Sequence, residues 1–264
     1  MLNNRKKVYK NRRLIYYQSN ASAEFWDSYW NQILSNDYFK KYEKGDLDGF
    51  EKVFKKFLKL DDKILEAGCG TGKYLVALRS LGYKNVEGVE WGEKTVKRVK
   101  KIYPDLPIKI GDVTKLEAHP EFYDAYISIG VMEHEQDGPG AFLMEANRIL
   151  KKDGIAFISV PYLNPLRKLK ALLGLYKLKD NHDKEFYQYA FTEKEFLGYL
   201  REYNFDILST FTYGGYFCIQ EEFQNIIKKM KKLPGGWKLN NILKNLKSLD
   251  NYGHMIMFVC SKKF

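Results

Sequence analysis

The sequence predicts an α/β protein built on a doubly wound, mostly parallel sheet of seven strands with helices on both faces. Three observations carry that expectation. Strand and helix signals alternate from residue 63 onward, which is the pattern of a parallel sheet covered on both sides. A glycine-rich turn, Gly68-Cys-Gly-Thr-Gly72, separates the first strand of this series from the first helix. At 264 residues and 45% hydrophobic composition, the chain is long enough to bury one large core.

Taken in order, residues 1–48 read as a basic tail and a helical extension, with a helix from Glu24 to Phe39, and Phe50 to Leu58 adds a second helix. The domain proper is expected over 49–264. Lys63 to Ala67 is a short apolar strand entering the glycine turn, and Tyr74 to Leu81 shows helical spacing. Val86 to Glu90 is the next strand, followed by a helix from Glu93 to Ile102 with Val96 and Val99 on one face. Ile108 to Ile110 is a third strand, and Tyr123 to Val131 is an apolar run suited to a central strand. Phe142 to Leu150 forms an amphipathic helix that Asp153-Gly154 would end, with glycine as the left-handed cap. Ile155 to Val160 is a fifth strand. Residues 162–190 show no clear strand and read as a cap insertion. Thr192-Glu-Lys-Glu195 is a capping box that opens a helix to about Tyr203. Phe205 to Tyr213 and Met255 to Cys260 supply the last two strands. Between them lie a helix from Gln220 to Met230, a break at Pro234-Gly235-Gly236, and a short helix from Ile242 to Leu246.

Charge is uneven. Residues 1–20 hold six basic and no acidic side chains, 21–150 hold 19 basic and 22 acidic, and 151–264 hold 19 basic and 11 acidic. The net charge of +11 therefore sits at the two ends, where it suits an anionic partner or a solvated lysine-rich surface. No apolar run approaches the roughly 18 residues of a membrane span. Basic residues near the start are not followed by an apolar stretch, which argues against a secretory signal. Three scattered cysteines, Cys69, Cys218 and Cys260, fit a reducing compartment. The expected location is cytoplasmic. His119, His134, His182 and His254 lack ligand spacing, so no metal is expected.

The chemistry-bearing signals fall at strand ends. Glu66 and the glycines Gly68, Gly70 and Gly72 follow the first strand, where glycine lets a ligand approach the backbone. Glu90 ends the second strand, 22 positions past Gly68, where a carboxylate accepts hydrogen bonds from ribose hydroxyls. Asp112 ends the third, where it can accept from an exocyclic amine. The three together point to an adenosine-type ligand. A dinucleotide fingerprint would place glycine at position 73, which is Lys73, and Gly72-Lys73-Tyr74 lacks the hydroxyl of a triphosphate loop.

The stretch from Ile64 to Gly72, with Glu90, Asp112 and Gly130-Val-Met-Glu-His134, resembles the class I S-adenosylmethionine-dependent methyltransferases. Within them it is most similar to the small-molecule group that includes the quinone-biosynthesis enzymes. The resemblance covers about residues 60–160 with specific motifs, is extended loosely by Phe191 to Phe196 and the last strand, and leaves out 1–45 and 162–190. It implies S-adenosyl-L-methionine as cofactor and an antiparallel last strand. Glu66, Gly68, Gly70 and Gly72 would line the methionine part. Glu90 would bind both ribose hydroxyls, with Trp91 packing on the adenine face, although Trp91 also reads as an ordinary surface aromatic. Asp112 would meet the adenine amine with Val113 beside the ring. Gly130 and the residues after it, Glu133 included, would close over the sulfonium. Cys69 is a small turn residue of the motif rather than a nucleophile.

His134 follows the fourth strand, at the expected place of transfer. It is the candidate general base, since imidazole titrates near neutrality. The alternative is that it orders the loop. In relatives of the fold that methylate base amines, the place after the fourth strand holds an Asn/Asp-Pro-Pro-aromatic run; here it reads Ser128-Ile-Gly-Val131. The acceptor is therefore read as a small or lipid-like molecule, methylated at oxygen or carbon. In the cap, Leu166, Leu169, Leu172 and Leu173 share a helical face with Arg167, Lys168 and Lys170 off it. That pattern suits either packing on the domain or an anionic acceptor and a peripheral contact with the inner membrane surface. Two alternatives stay open: an RNA methyltransferase using the basic ends, and a non-catalytic cofactor-binding regulatory subunit.

Overall fold

The computed structural model describes residues 5–18, 21–35, 37–176 and 185–263. The chain opens with an antiparallel hairpin, β1 (Lys6–Lys10) and β2 (Arg13–Gln18). Its two-residue turn, Asn11-Arg12, has φ of 52° and 63°, the twist that a tight hairpin demands. Helix α1 (Ala23–Ile33) follows, capped by Ser22, then a short turn at Tyr42–Lys44 and α2 (Glu51–Phe57). The alternating series is β3 (Lys63–Ala67), α3 (Lys73–Ser80), β4 (Asn85–Glu90), α4 (Glu93–Ile102), β5 (Ile108–Ile110), β6 (Tyr123–Ile129), α5 (Gly140–Ile149) and β7 (Leu150–Pro161). After it come α6 (Pro165–Leu172), β8 (Glu185–Ala190), α7 (Glu193–Glu202) and β9 (Phe205–Tyr213). The chain closes with α8 (Gly215–Glu222), α9 (Gln224–Lys231), α10 (Gly236–Asn245) and β10 (Met255–Lys262).

Seven strands form one sheet in the order β5-β4-β3-β6-β7-β10-β9. The pairs among β3 to β7 are parallel, and β10 runs antiparallel to both β7 and β9. This is the doubly wound architecture expected from the sequence. Alternate residues bury opposite faces, as the period-two geometry of strands requires. Ile64, Ile127, Phe157 and Met257 pack under α2, α3 and α4. Leu65, Tyr126, Ile158 and Phe258 pack under α5 and α7. The order reverses between β3 and β6, and the loops at the carboxyl ends of those strands open there into a crevice, where α/β sheets bind ligands.

A second, three-stranded sheet, β1-β2-β8, stands over that crevice. It is the main departure from the sequence reading. Residues 6–18 are a hairpin rather than a tail, and part of the cap is strand β8. Val8, Leu14 and Tyr16 are buried, and β2 finds its outer partner in β8, some 170 positions later in the chain. Helix α1 stops at Ile33, short of Phe39. Helix α5 ends at Ile149, and Asp153, not Gly154, takes the left-handed conformation, with φ of 59°. The expected helix at Gln220 to Met230 is two helices broken at Phe223. Residues 1–4 of the expected tail and 177–184 of the expected cap lie outside the described residues.

Candidate functional site

The crevice is a cavity of about 410 Å³. Its floor is the turn after β3. Gly68 and Gly70 have φ of 74° and 55°, left-handed values that glycine takes without strain. A side chain at Gly68 would meet Val131 at 2.5 Å, and one at Gly70 would meet Trp30 at 2.6 Å. The turn is tied to β4 because Gly68 N and Cys69 N both donate to Val89 O, at 2.8 and 3.0 Å. Cys69 is buried and its thiol is pushed well up by that burial, so it offers no thiolate.

Carboxylates line the cavity from successive strand ends. Glu90 is buried and accepts from Gly70 N at 2.7 Å and Gly92 N at 2.9 Å. Burial raises its pKa, while the N–H donors of Gly92 and Gly70 pull it down. Asp112 is exposed and holds its own turn through Oδ1, accepting from Thr114 N at 2.8 Å and Thr114 Oγ1 at 2.7 Å. Glu66 and Glu133 differ from both. Each is buried with its Oε2 unpartnered, and desolvation pushes each carboxyl up to about 8. Lys73 draws Glu66 down and Glu90 draws it up. Arg5 draws Glu133 down. Two buried carboxyl groups left open in one cavity are suited to a ligand that carries positive charge.

The wall is aromatic. Trp26, Tyr29 and Trp30 come from α1, which is clamped over the site at its middle and at its C-terminal end. Asp27 accepts from Thr95 N at 2.7 Å, Thr95 Oγ1 at 2.8 Å and Lys94 N at 3.2 Å. It thus caps the N-terminus of α4, whose own cap position is Gly92. Arg98 donates to the carbonyls of Asn31 and Leu34 at 2.9 and 2.8 Å. From the upper sheet come Tyr187, Gln188 and Arg5. The Arg5 guanidinium lies 4.6 Å from the Tyr187 ring centroid and donates to Tyr187 OH at 3.1 Å and to Gln18 at 2.8 Å.

His134 sits where floor and wall meet. Its Nδ1 is 2.8 Å from Tyr187 O. A carbonyl only accepts, so Nδ1 carries the hydrogen and Nε2 keeps its lone pair. Nε2 lies 3.8 Å from Glu133 Oε1. The imidazole is edged by the rings of Trp26 and Tyr187, at 4.9 and 4.8 Å. Desolvation depresses its pKa to about 4, against the raising effect of the Tyr187 bond, and Arg5 lowers it further. At neutral pH the ring is uncharged.

Of the residues singled out in the sequence, Glu66, Gly68, Cys69, Glu90, Trp91, Asp112, Val113, Gly130, Glu133 and His134 all line this one cavity. Gly70 and Gly72 do not line it. Gly70 supplies the N–H that Glu90 accepts, and Gly72 starts α3. Trp91 is half exposed, at 55%. Tyr187, one of the cap tyrosines expected to form an aromatic wall, lines it too, whereas sequence reasoning missed Arg5, Trp26, Tyr29, Trp30 and Gln188. The spacing of Trp26, Tyr29 and Trp30 was a signal, since residues three and four apart share a helix face.

The cap needs a correction. Arg167 is buried, with Nη2 2.6 Å from Glu221 Oε2 and Nε 3.2 Å from Glu222 Oε1. Lys170 Nζ is 2.5 Å from Glu222 Oε2. These cations are used inside the fold and do not meet an acceptor. The expected apolar face of α6 is turned outward instead, with Leu169, Leu172 and Leu173 exposed. Two glutamates on α8, with Tyr162 O accepting from Arg167 Nη1 at 2.6 Å, offset the desolvation of the guanidinium.

Comparison with known proteins agrees with the geometry. Residues 65–158 match the family described as Methyltransferase domain. Over 98 residues the chain is 33% identical to the "Probable S-adenosylmethionine-dependent methyltransferase" of Mycolicibacterium smegmatis, a match that covers 37% of each protein. It is 26% identical over 143 residues, 51% of this chain and 20% of the relative, to the eEF1A lysine and N-terminal methyltransferase of Danio rerio. The chain thus matches well under half the length of these curated relatives. The fold is shared with the S-adenosylmethionine-dependent methyltransferase of Mesorhizobium loti, at TM-score 0.55 and 17% identity, covering 82% of this chain and all of that one.

Proposed function

We propose that this chain, whose residues 65–158 are a methyltransferase domain of the S-adenosylmethionine-dependent type, methylates a small or lipid-like acceptor at an oxygen or an acidic carbon. The observation that carries the acceptor reading is His134: an uncharged imidazole with a free Nε2, set among Trp26, Tyr29 and Tyr187. The aromatic walls give apolar contact area to a ring or an acyl or prenyl chain. Acceptors of the kind handled by quinone-biosynthesis enzymes belong to this class.

The residues present fit the cofactor. The unpartnered oxygens of Glu66 and Glu133 face a cavity that would hold its ammonium and sulfonium charges. Glu90, braced by Gly70 and Gly92, would take the ribose, and Asp112 with Val113 and Trp91 would take the adenine. Bound S-adenosylmethionine supplies an electrophilic methyl group. The protein's part is alignment and proton removal. His134 Nε2 accepts the proton of the acceptor, the Tyr187 carbonyl fixes the ring orientation, and Glu133, 3.8 Å away and ionised once the cofactor's positive charge is bound, would favour the resulting imidazolium. Trp26, Tyr29 and the β1-β2-β8 sheet exclude water from the cavity.

A second reading has its own support. Buried carboxylates beside Trp26, Tyr29 and Trp30 also suit a cationic amine, and the Danio rerio relative is named for lysine and N-terminal methylation. Labelled methyl transfer into a fractionated cell extract decides between them. Label in small metabolites or lipid supports the proposal, and label in protein supports the amine. Label in RNA would move the reading to nucleic acid, and tight cofactor binding with no label in any fraction would leave a regulatory subunit.

A further inference from the structure

We propose that the surface made by the tip of the β1–β2 hairpin and helix α6 docks on an anionic lipid bilayer. A groove between them is lined by Lys10, Arg12, Lys168 and Lys194, together with Tyr9 and Tyr189. Arg13, also in the groove, is held by Glu195 and by Tyr199 OH. Among the described residues no carboxylate pairs with the other four cations. That leaves a concentrated positive field, which suits phosphate-bearing head groups.

The apolar half of the surface adjoins it on the same helix. Lys168 precedes Leu169, and Leu172 and Leu173 follow on the next turn. All three leucines are exposed, Leu172 at 82%, and so is Leu175 just beyond the helix. Burial of Arg167 against Glu221 and Glu222 fixes this orientation, so the leucines cannot rotate inward. The hairpin is joined to the end of α6 by Tyr9 N donating to Tyr176 O at 3.1 Å, which keeps cations and leucines together. Exposed leucines beside unpaired lysines are the composition of an interfacial helix, which seats side chains in the acyl boundary and cations among the head groups. Leucines give nothing to a phosphodiester chain, which is why a bilayer is preferred over nucleic acid. Strand β8 carries Tyr187 of the cavity and Arg5 immediately precedes β1, so docking here sets the cavity's roof against the lipid. The inference stands on this surface alone and holds whichever acceptor is used.

The test is co-sedimentation of the full chain with vesicles of phosphatidylcholine alone and of phosphatidylcholine with phosphatidylglycerol. Binding is expected only with phosphatidylglycerol. The combined variant K10Q/R12Q/K168Q/K194Q should lose roughly a hundredfold or more in partition, at about fivefold per cation near an anionic surface. L172S/L173S should lose binding at salt that screens the charges but leaves the wild type attached. Both variants should keep wild-type melting temperature and cofactor affinity, because every changed side chain lies outside the cavity. Equal binding to both vesicles, no binding to either, or wild-type binding by the four-cation variant would overturn the proposal. So would a single-stranded RNA that displaces the protein from vesicles and binds the leucine variant undiminished. Failure of vesicle binding leaves the label-transfer result untouched, so the two readings fail separately.

Discussion

His134 donates its Nδ1–H to the main-chain carbonyl of Tyr187, 2.8 Å away across the interface between the cavity floor and the upper sheet. The bond joins residues 53 positions apart and decides which imidazole nitrogen is free. Replacing His134 with alanine should lower turnover roughly 10²–10⁴-fold while cofactor affinity stays near normal. Single-turnover rates and calorimetry on the same variant check this. Equal loss of rate and affinity would place His134 in cofactor binding instead.

Glu66 and Glu133 set a pH dependence. Both carboxyls titrate near 8 in the free fold, above the ordinary 4.5. Their contribution to stability is therefore present in full below about pH 4.5 and is lost as pH rises through about 8. A cationic ligand favours the ionised forms, so cofactor affinity should rise with pH over the same range. Glu66→Gln should raise the melting temperature of the free protein at pH 9 and flatten the affinity profile. Thermal melts and titration calorimetry from pH 6 to 9 are the measurement, and an affinity that falls with rising pH would refute the assignment.

Glu90→Ala should weaken the cofactor more than any other single change at the strand ends. It removes the proposed acceptor for ribose hydroxyls and the brace that holds Gly70 N and Gly92 N. A hydrogen bond to a charged group is worth about 1.5–3 kcal/mol. Asp112→Ala should cost less, because Asp112 is exposed and water replaces its contact. Binding isotherms for both variants give the order directly.

Asp27→Ala should destabilise the protein and loosen the acceptor wall together. Three hydrogen bonds to Lys94 and Thr95 are lost, and removing a helix cap costs about 1 kcal/mol. Since α1 carries Trp26, Tyr29 and Trp30, the acceptor KM should rise while cofactor affinity changes little. Asp27→Asn, which keeps an oxygen acceptor, should recover most of the stability.

The seven-stranded sheet was legible because its strands are short apolar runs bounded by glycine, proline or a capping box, and these are local signals. Glu66, Glu90, Asp112 and His134 were legible for the same reason: each lies at or just past the end of a strand, and strand ends in this architecture converge. The upper sheet was not. Lys6 to Gln18 is rich in cations, and its strand character depends on pairing with Glu185 to Ala190, which no local pattern reveals. Arg167 was misplaced because periodicity assigns a charged side chain to the wet face. Here Glu221 and Glu222, distant in sequence, make the interior the better place for it.

The pairing of β2 with β8 also bears on how the molecule comes into being on the ribosome. Strands β3 to β7 and their helices are joined by short connections and can settle as they emerge. The first strands of the chain, by contrast, must wait until residues 185–190 have been synthesised before they gain their outer partner. The floor of the cavity is therefore completed early and its upper sheet late. On the proposed function, a nascent or arrested chain would hold the cofactor floor open to solvent with no upper sheet above it, so acquiring a cofactor and becoming competent for transfer would be separate events in the life of the polypeptide.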